Sequence, residues 1–351
     1  MRSIPALALL TAAALLIPSP ALAWGAKGHR LVNGGAMRTL PPTVPAFLRT
    51  QAAHDEVMDL GPFADRLKDS GQPADQDGDH GHFIDIGDDG TVNGISMNAL
   101  PLSREAYDTA LRAGPPGPTN KRLDQYTIGY VPYMIADGYL NLVKEFAYWR
   151  VDVAGQKYAG TPADKAFFAL DQTVMEATIL HDIGYWGHFV GDASQPLHIS
   201  THYNGWDSSD RNAPNPHNYS DSHSIHSRFE STMVDQVATE DLVVAHVPPL
   251  GSPSGPILQQ VGAYLTQTQS NVEHVYQLES RGEIDAPTPA STSFLLDRVA
   301  AGSAEMRDLI VEAWDASASS YMGYGDHKIM IPDIESGKVV PTPSTIGEGR
   351  G

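Results

Sequence analysis

The sequence predicts an all-α protein, a single mainly helical domain, and three observations carry that reading. Apolar residues recur at three- and four-residue spacing through most of the chain. No long stretch alternates apolar and polar residues as a half-buried strand does. The long periodic segments are bounded by Pro, Gly, Asn and Ser clusters, as in the Asn/Asp/Ser/Pro-rich loop from His202 to His223.

Met1 to Ala23 carries one basic residue, Arg2, an apolar run from Ile4 through Pro18, and the small-residue end Ala21-Leu22-Ala23. That is the pattern of a secretory signal peptide, too short for a membrane span, so a secreted or periplasmic location is expected. Cleavage after Ala23 makes Trp24 a free α-amine that, with its own carbonyl, can chelate a metal. Trp24 to Leu40 then reads as a helix with Leu31, Val32, Ala36 and Met37 on one side, ended by Pro41-Pro42. Further helices are expected around 44–51, 55–68, 103–112, 123–150, 164–192, 222–239, 256–278 and 291–320. In 123–150, Tyr126, Tyr130, Tyr133, Met134, Asp137, Leu140 and Val143 suit a buried helix. Pro248 to Pro256 reads as a connection. The domain is expected to span 24–331, followed by a Gly/Pro/Ser-rich flexible tail over 332–351.

The chain of 351 residues has 23 Lys and Arg against 42 Asp and Glu, a formal net charge of −19. That balance argues against a broad basic face for duplex nucleic acid. There is no cysteine, so no disulfide, thiolate ligand or thiolate nucleophile is available. An exported chain without disulfides needs another source of rigidity, and bound metal is one. The 14 histidines gather in a few clusters.

The centre of the sequence is His188-Phe-Val-Gly-Asp192-Ala-Ser-Gln-Pro-Leu-His198. His188 and Asp192 lie four apart and project from one helix face. Pro196 ends the helix and lets His198 return to the rim. This geometry lets Asp192 bridge two ions while the two histidines hold different ones. Other candidate ligands are Trp24 and His29 in Trp24-Gly-Ala-Lys-Gly-His29, Asp65 in Ala64-Asp65-Arg66-Leu67-Lys68, and His82 in His82-Phe-Ile-Asp85. His226 and Glu230, again four apart, complete the set. Nitrogen and carboxylate ligands without sulfur suit zinc in a catalytic site.

With these motifs the chain resembles the zinc-dependent single-strand nucleases (the S-one/P-one nucleases) and their relatives, the zinc phospholipases C. The resemblance covers most of the chain after residue 23 and implies a mainly helical fold holding three zinc ions (Zn2+). It implies that Asp65, His82, His188 and Asp192 hold one zinc, and that Trp24, His29 and Asp192 hold its close neighbour. His198, His226 and Glu230 would hold the third. It also implies that Phe83 stacks a base and Asp85 hydrogen-bonds its edge. His80, His181, His202, His217 and His223 are left outside the ligand set, as core or supporting residues.

Three zinc ions against Asp65, Asp192 and Glu230 leave a local positive excess that would attract a phosphate. Asp65 is expected to orient the attacking water, and Lys68, on the same helical side, to neutralise transition-state charge. The expected activity is zinc-dependent phosphodiester hydrolysis by a monomer, on single-stranded DNA or RNA, with a phospholipid as the alternative substrate. The Trp24–His29 spacing and the Arg66/Lys68 pair favour the nuclease. Glu230, where the fungal and plant nucleases have Asp, and the lack of cysteine favour the lipase. The loop at Tyr203, Asn204 and Trp206 is expected to shape the substrate pocket, with the two aromatics stacking a base or surrounding a choline headgroup. A zinc carrier or a non-catalytic metal-stabilised protein would also be His-rich. A carrier would usually have one site, whereas these ligands spread over five elements.

Overall fold

The computed structural model describes residues 24–68, 71, 76–117, 122–206, 215, 217–252, 255–323 and 328–347. The expected signal peptide lies outside the described residues, as does part of the 202–223 loop.

The described residues are mostly helical. The first half carries α1 (Gly25–Arg38), α2 (Gln51–Leu60), α3 (Phe63–Arg66), α4 (Gln76–Asp79), α5 (Arg104–Ala113) and α6 (Gln125–Ile128). The long helices α7 (Val131–Tyr158) and α8 (Pro162–Asp192) follow, joined by three residues and therefore antiparallel. The second half carries α9 (Ile225–Ser227), α10 (Val234–Val237), α11 (Glu240–His246), α12 (Ile257–Gln269), α13 (Val272–Ser280), α14 (Pro289–Ser317) and α15 (Ile331–Glu335). Among the described residues the strands form two ribbons. β1 (Thr91–Val92) pairs with β2 (Ile95–Ser96) around Asn93-Gly94, both at positive φ as a tight hairpin turn requires. β3 (Tyr321–Met322) pairs with β4 (Ile329–Met330).

Several expected helices are subdivided. The 55–68 segment breaks at Gly61-Pro62, because proline's ring and missing N–H cannot continue α2. The 123–150 segment breaks at Gly129, whose φ of 83° only glycine adopts cheaply. There a Cβ would fall 2.2 Å from the Phe83 carbonyl oxygen. Helix α11, between 240 and 246, is additional to the expected set. Its signal was Thr239, which caps the Leu242 N–H, ahead of Glu240 and Asp241 in the first turn. Helix α15 crosses the expected boundary at 331, and its Ile331 and Ile334 are fully buried in one cluster with Phe168 of α8. Glu335 pairs with Arg150 of α7 at 2.8 Å, so the chain stays attached through this stretch.

Helix α1 runs through the middle of the molecule and touches α2, α8, α11 and α14. Small residues on α8 make that approach possible. A Cβ on Gly184 would fall 2.5 Å from Leu60 Cβ, and one on Gly187 2.4 Å from Asn33 Oδ1. Asn33, buried on α1, uses the gap and donates to the carbonyls of Val57 and Gly184, each at 2.9 Å. This polar clamp fixes the register of α1, α2 and α8. Among the described residues no helix is long and apolar enough to cross a membrane.

Candidate metal centre

The C-terminal turn of α8 delivers His188 and Asp192, both fully buried, to the junction with α1. His29 on α1 stacks its ring on His188 with centroids 3.7 Å apart. This contact needs Gly191, where a Cβ would press 3.3 Å from His29 Nδ1. The break at Gly61-Pro62 starts α3 and brings Asp65 to the same point. His82 ends a short turn held by an extended segment: the Ile84 N–H donates to the His198 carbonyl at 3.0 Å and the Asp85 N–H to that of Ile128 at 2.8 Å. After α8, the turn Pro196–Ile199 returns His198. Residues 225–237 form one continuous helix interrupted by a π-turn over Arg228–Met233, which carries Glu230.

Three side-chain groups result, each able to hold a metal ion: His29 with His188 and Asp192, Asp65 with His82 and His188, and His198 with His226 and Glu230. In each group the ligand atoms lie within 4.8 Å of one another. His188 belongs to the first two. Asp192 Oδ2 lies 3.1 Å from His82 Nδ1 and 3.3 Å from His188 Nε2, while its Oδ1 lies 3.4 Å from His29 Nε2. One carboxylate thus reaches both groups, as its place on the α8 face predicts.

The hydrogen bonds on the outer sides of these rings fix what the inner nitrogens are. His188 Nδ1 donates to the Gly61 carbonyl at 2.8 Å, His198 Nδ1 to that of His82 at 2.9 Å, and His226 Nδ1 to that of Tyr203 at 2.7 Å. A neutral imidazole with its proton on Nδ1 presents a lone pair at Nε2. Yet the Nε2 atoms of His198 and His226 face each other at 3.0 Å, with Glu230 Oε2 2.7 Å from the latter. Two lone pairs and a carboxylate at this separation repel unless a cation, a proton or a metal ion, stands among them. Backbone carbonyls that orient imidazoles in this way are the usual outer support of metal-binding histidines.

Unpartnered buried atoms give the same answer. Both nitrogens of His29, Oδ1 of Asp192 and Oε1 of Glu230 are buried without a hydrogen-bond partner. Each such group costs about 1–3 kcal/mol unless something coordinates it. Burial foremost, with neighbouring imidazoles, pushes His29 well below the ordinary histidine value. Burial likewise pushes His82 down to about 3, against the raising hydrogen bond to Asp192. His29 and His82 thus present the neutral nitrogens a divalent cation requires, whereas, against burial, the Asp192 and Glu230 carboxylates raise His198 above its ordinary value. The donors fit a metal.

The other expected residues sit around this centre. Trp24 is fully buried, and its indole N–H is shared by the Gly191 carbonyl at 2.9 Å and Ser194 Oγ at 2.8 Å. That contact anchors the start of α1 one residue from Asp192. Lys68 Nζ lies 2.7 Å from Asp65 Oδ1, so the ammonium is tied to the carboxylate. Phe83 is half-buried with its ring tilted against His80 at 5.9 Å. Asp85 is half-buried, and burial pushes its carboxyl up to about 8. Asn204 accepts from the His226 backbone N–H at 3.3 Å, while the Tyr203 ring is 54% exposed. Trp206 is buried, stacked on His202 at 4.0 Å with the rings 14° from parallel. It packs in the core with Leu197, Phe229 and Tyr276 and also lines a cavity with Asp88, Gln269 and Glu273. Gln195 was not singled out from the sequence. Its side-chain amide donates to Glu230 Oε2 at 3.2 Å while its carbonyl accepts the Leu197 N–H, linking the turn to the third group.

Beside the centre a cleft of about 150 Å³ opens between Lys68, Asp79, His82 and Tyr185. Comparisons with family models, with curated proteins and with solved structures find no match to this chain.

Proposed function

We propose that this chain is an exported zinc-dependent phosphodiester hydrolase that cuts single-stranded nucleic acid. The observation that carries the reading is the set of three adjoining ligand groups, with His188, His198 and His226 oriented from outside by backbone carbonyls. An all nitrogen and oxygen donor set suits zinc at a hydrolytic centre. In this reading Asp65, His82, His188 and Asp192 hold one ion. His29, Asp192 and the Trp24 amine hold a second, and His198, His226 and Glu230 a third. When bound, zinc acidifies a water and stabilises charge on the phosphate oxygens.

The residues of the chain supply the rest. Asp65 stands beside the cleft lined by Lys68 and His82 and would orient the attacking water, and Lys68 holds that carboxylate in place. The buried rings around Asp192 exclude bulk water and so strengthen every charge contact inside. A cleft of only about 150 Å³ and a chain charge of −19 disfavour a duplex, whose binding rests on many phosphate contacts. The zinc phospholipase C reading is the second one. The observation favouring it is the exposure of Tyr203, whose backbone carbonyl holds His226 and whose ring is an aromatic group available to a quaternary ammonium.

The test compares chelated and zinc-reloaded protein on single-stranded DNA, RNA, duplex DNA and phosphatidylcholine in parallel. Zinc-dependent cleavage of the single strands, with the duplex cut more slowly, is the expected result. Turnover of phosphatidylcholine alone would select the second reading. Bound zinc with no turnover, even of bis(p-nitrophenyl) phosphate, would leave a non-catalytic zinc protein.

A further inference from the structure

We infer that the cleft between α7 and α8 beside the metal centre is a subsite for one unpaired nucleobase. The inference rests on the phosphodiesterase reading and names the part of the substrate that the ligand groups do not hold. The cavity has a volume of about 230 Å³, and Tyr185 lines both it and the 150 Å³ cleft containing Lys68 and His82. Phe189 also links the two places. Its ring centroid is 5.0 Å from that of His82 and 5.4 Å from that of Tyr185. Tyr185 is thus the shared wall between this cavity and the place near Lys68 where a phosphate would sit.

Size and lining select the occupant. A cavity of ~150 Å³ accepts benzene, so this larger one has room for a two-ring purine. Met134 and Tyr185, both half-buried, offer flat or polarisable surface to an aromatic face, with Trp186 and Phe189 almost wholly buried behind them. Trp186 is rigidly held. Its indole N–H donates to the Ile135 carbonyl at 3.0 Å, and its ring lies against bare backbone at Gly138, where a Cβ would fall 2.0 Å away. Asp137, Asn141 and Asp182 bring carboxyl and amide groups to the same wall.

An acyl chain would cover Asp137 and Asn141 without supplying a hydrogen-bond partner, whereas Asp182 is already paired with His181. A trimethylammonium group carries no N–H to give them, but the Asp137 and Asp182 carboxylates attract its charge, so phosphocholine is the competing ligand in the test. A base supplies both a π-face and edge N–H donors, and guanine presents several of them together. This subsite lies on helices α7 and α8, apart from Phe83 and Asp85, which the family resemblance assigns to base binding.

The experiment is calorimetric titration of the zinc-loaded full chain with guanosine 5′-monophosphate, ribose 5-phosphate and phosphocholine. The nucleotide should bind at least about tenfold more tightly than ribose 5-phosphate, the size of one base-stacking contribution. Asn141→Phe, at an exposed rim position, and Asp137→Ala should each lose about tenfold of that affinity. On single-stranded DNA the loss should fall on KM and spare kcat. Melting temperatures identify the folded variants, and Asn141→Phe keeps the test intact if Asp137→Ala does not fold. Equal affinity for the nucleotide and ribose 5-phosphate would overturn the subsite. So would undiminished nucleotide binding by folded Asn141→Phe, or tighter binding of phosphocholine. If the chain hydrolyses no phosphodiester, the proposed activity fails, and the nucleotide comparison still decides the subsite.

Discussion

At the scale of single residues, the centre depends on which atom of each side chain is already committed. His188, His198 and His226 give Nδ1 to carbonyls and keep Nε2 for the interior. Asp192 divides its two oxygens between two ligand groups, with Oδ2 toward His82 and His188 and Oδ1 toward His29. Asp192→Asn replaces one of those oxygens with an NH2 group, which cannot coordinate, and removes the charge. Supporting residues alone are worth ~10–100-fold in metal affinity or activity, so this ligand should cost at least about 100-fold in turnover and lower the zinc content. His246→Ala, which removes a surface pair with Asp297, should leave both within about twofold. Elemental analysis and turnover on the two purified variants check this, and normal zinc and turnover in Asp192→Asn would remove Asp192 from its bridging position. The brought-together ligands were legible in the sequence because a four-residue spacing on a helix fixes a shared face regardless of tertiary detail. Trp206 was less legible, since a loop sequence does not say which aromatics turn inward. Its stacking on His202 depends on Tyr276 and Tyr219, which also pack against it.

At the scale of elements, the site is assembled by helices brought unusually close, and glycine spacing on α8 does much of this. Gly184, Gly187 and Gly191 face α2 and α1 along one side, ending beside His29. Gly187→Ala would set its Cβ 2.4 Å from Asn33 Oδ1 and 2.6 Å from Met306 Cε. The side chains must move, and the Asn33 clamp on Val57 and Gly184 loosens with them. Overpacking of this kind costs about 1–3 kcal/mol. The variant should melt at lower temperature and hold zinc more weakly, because His29 and His188 are carried on the two helices being pushed apart. A thermal melt and zinc titration test it, and an unchanged melt together with unchanged affinity would contradict the close-approach account. Long helices were readable from periodicity, whereas their interruptions were not. The π-turn that carries Glu230 changes the helix pitch for a few residues, which leaves no signature in apolar spacing.

At the scale of the whole molecule, the excess of acid must be accommodated, and part of it is buried in the scaffold. Asp152 on α7 is fully buried, and burial first, the neighbouring Asp171 carboxyl second, push it up to about 9. Glu145, on the same helix and facing Asp182, is pushed up to about 8 chiefly by burial. Glu305 on α14 is likewise raised to about 8 by burial first. In the unfolded chain these groups titrate near ~4. Because the folded state holds their protons more tightly, the stability they contribute is fully present below about pH 4. It is then lost progressively as pH rises through the folded values of 8–9. The buried carboxyls therefore predict a scaffold that weakens toward alkaline pH. Asp152→Asn removes one ionisable proton while keeping nearly the same shape, so the melting temperature of this variant should fall less between pH 6 and pH 9 than that of the native chain. Measurements with zinc chelated throughout separate this effect from proton competition at the metal ligands, which acts in the opposite direction by weakening zinc binding as pH falls. Parallel melting curves for the two proteins across that range would show that Asp152 is already ionised in the fold and that the alkaline weakening, if present, comes from other groups.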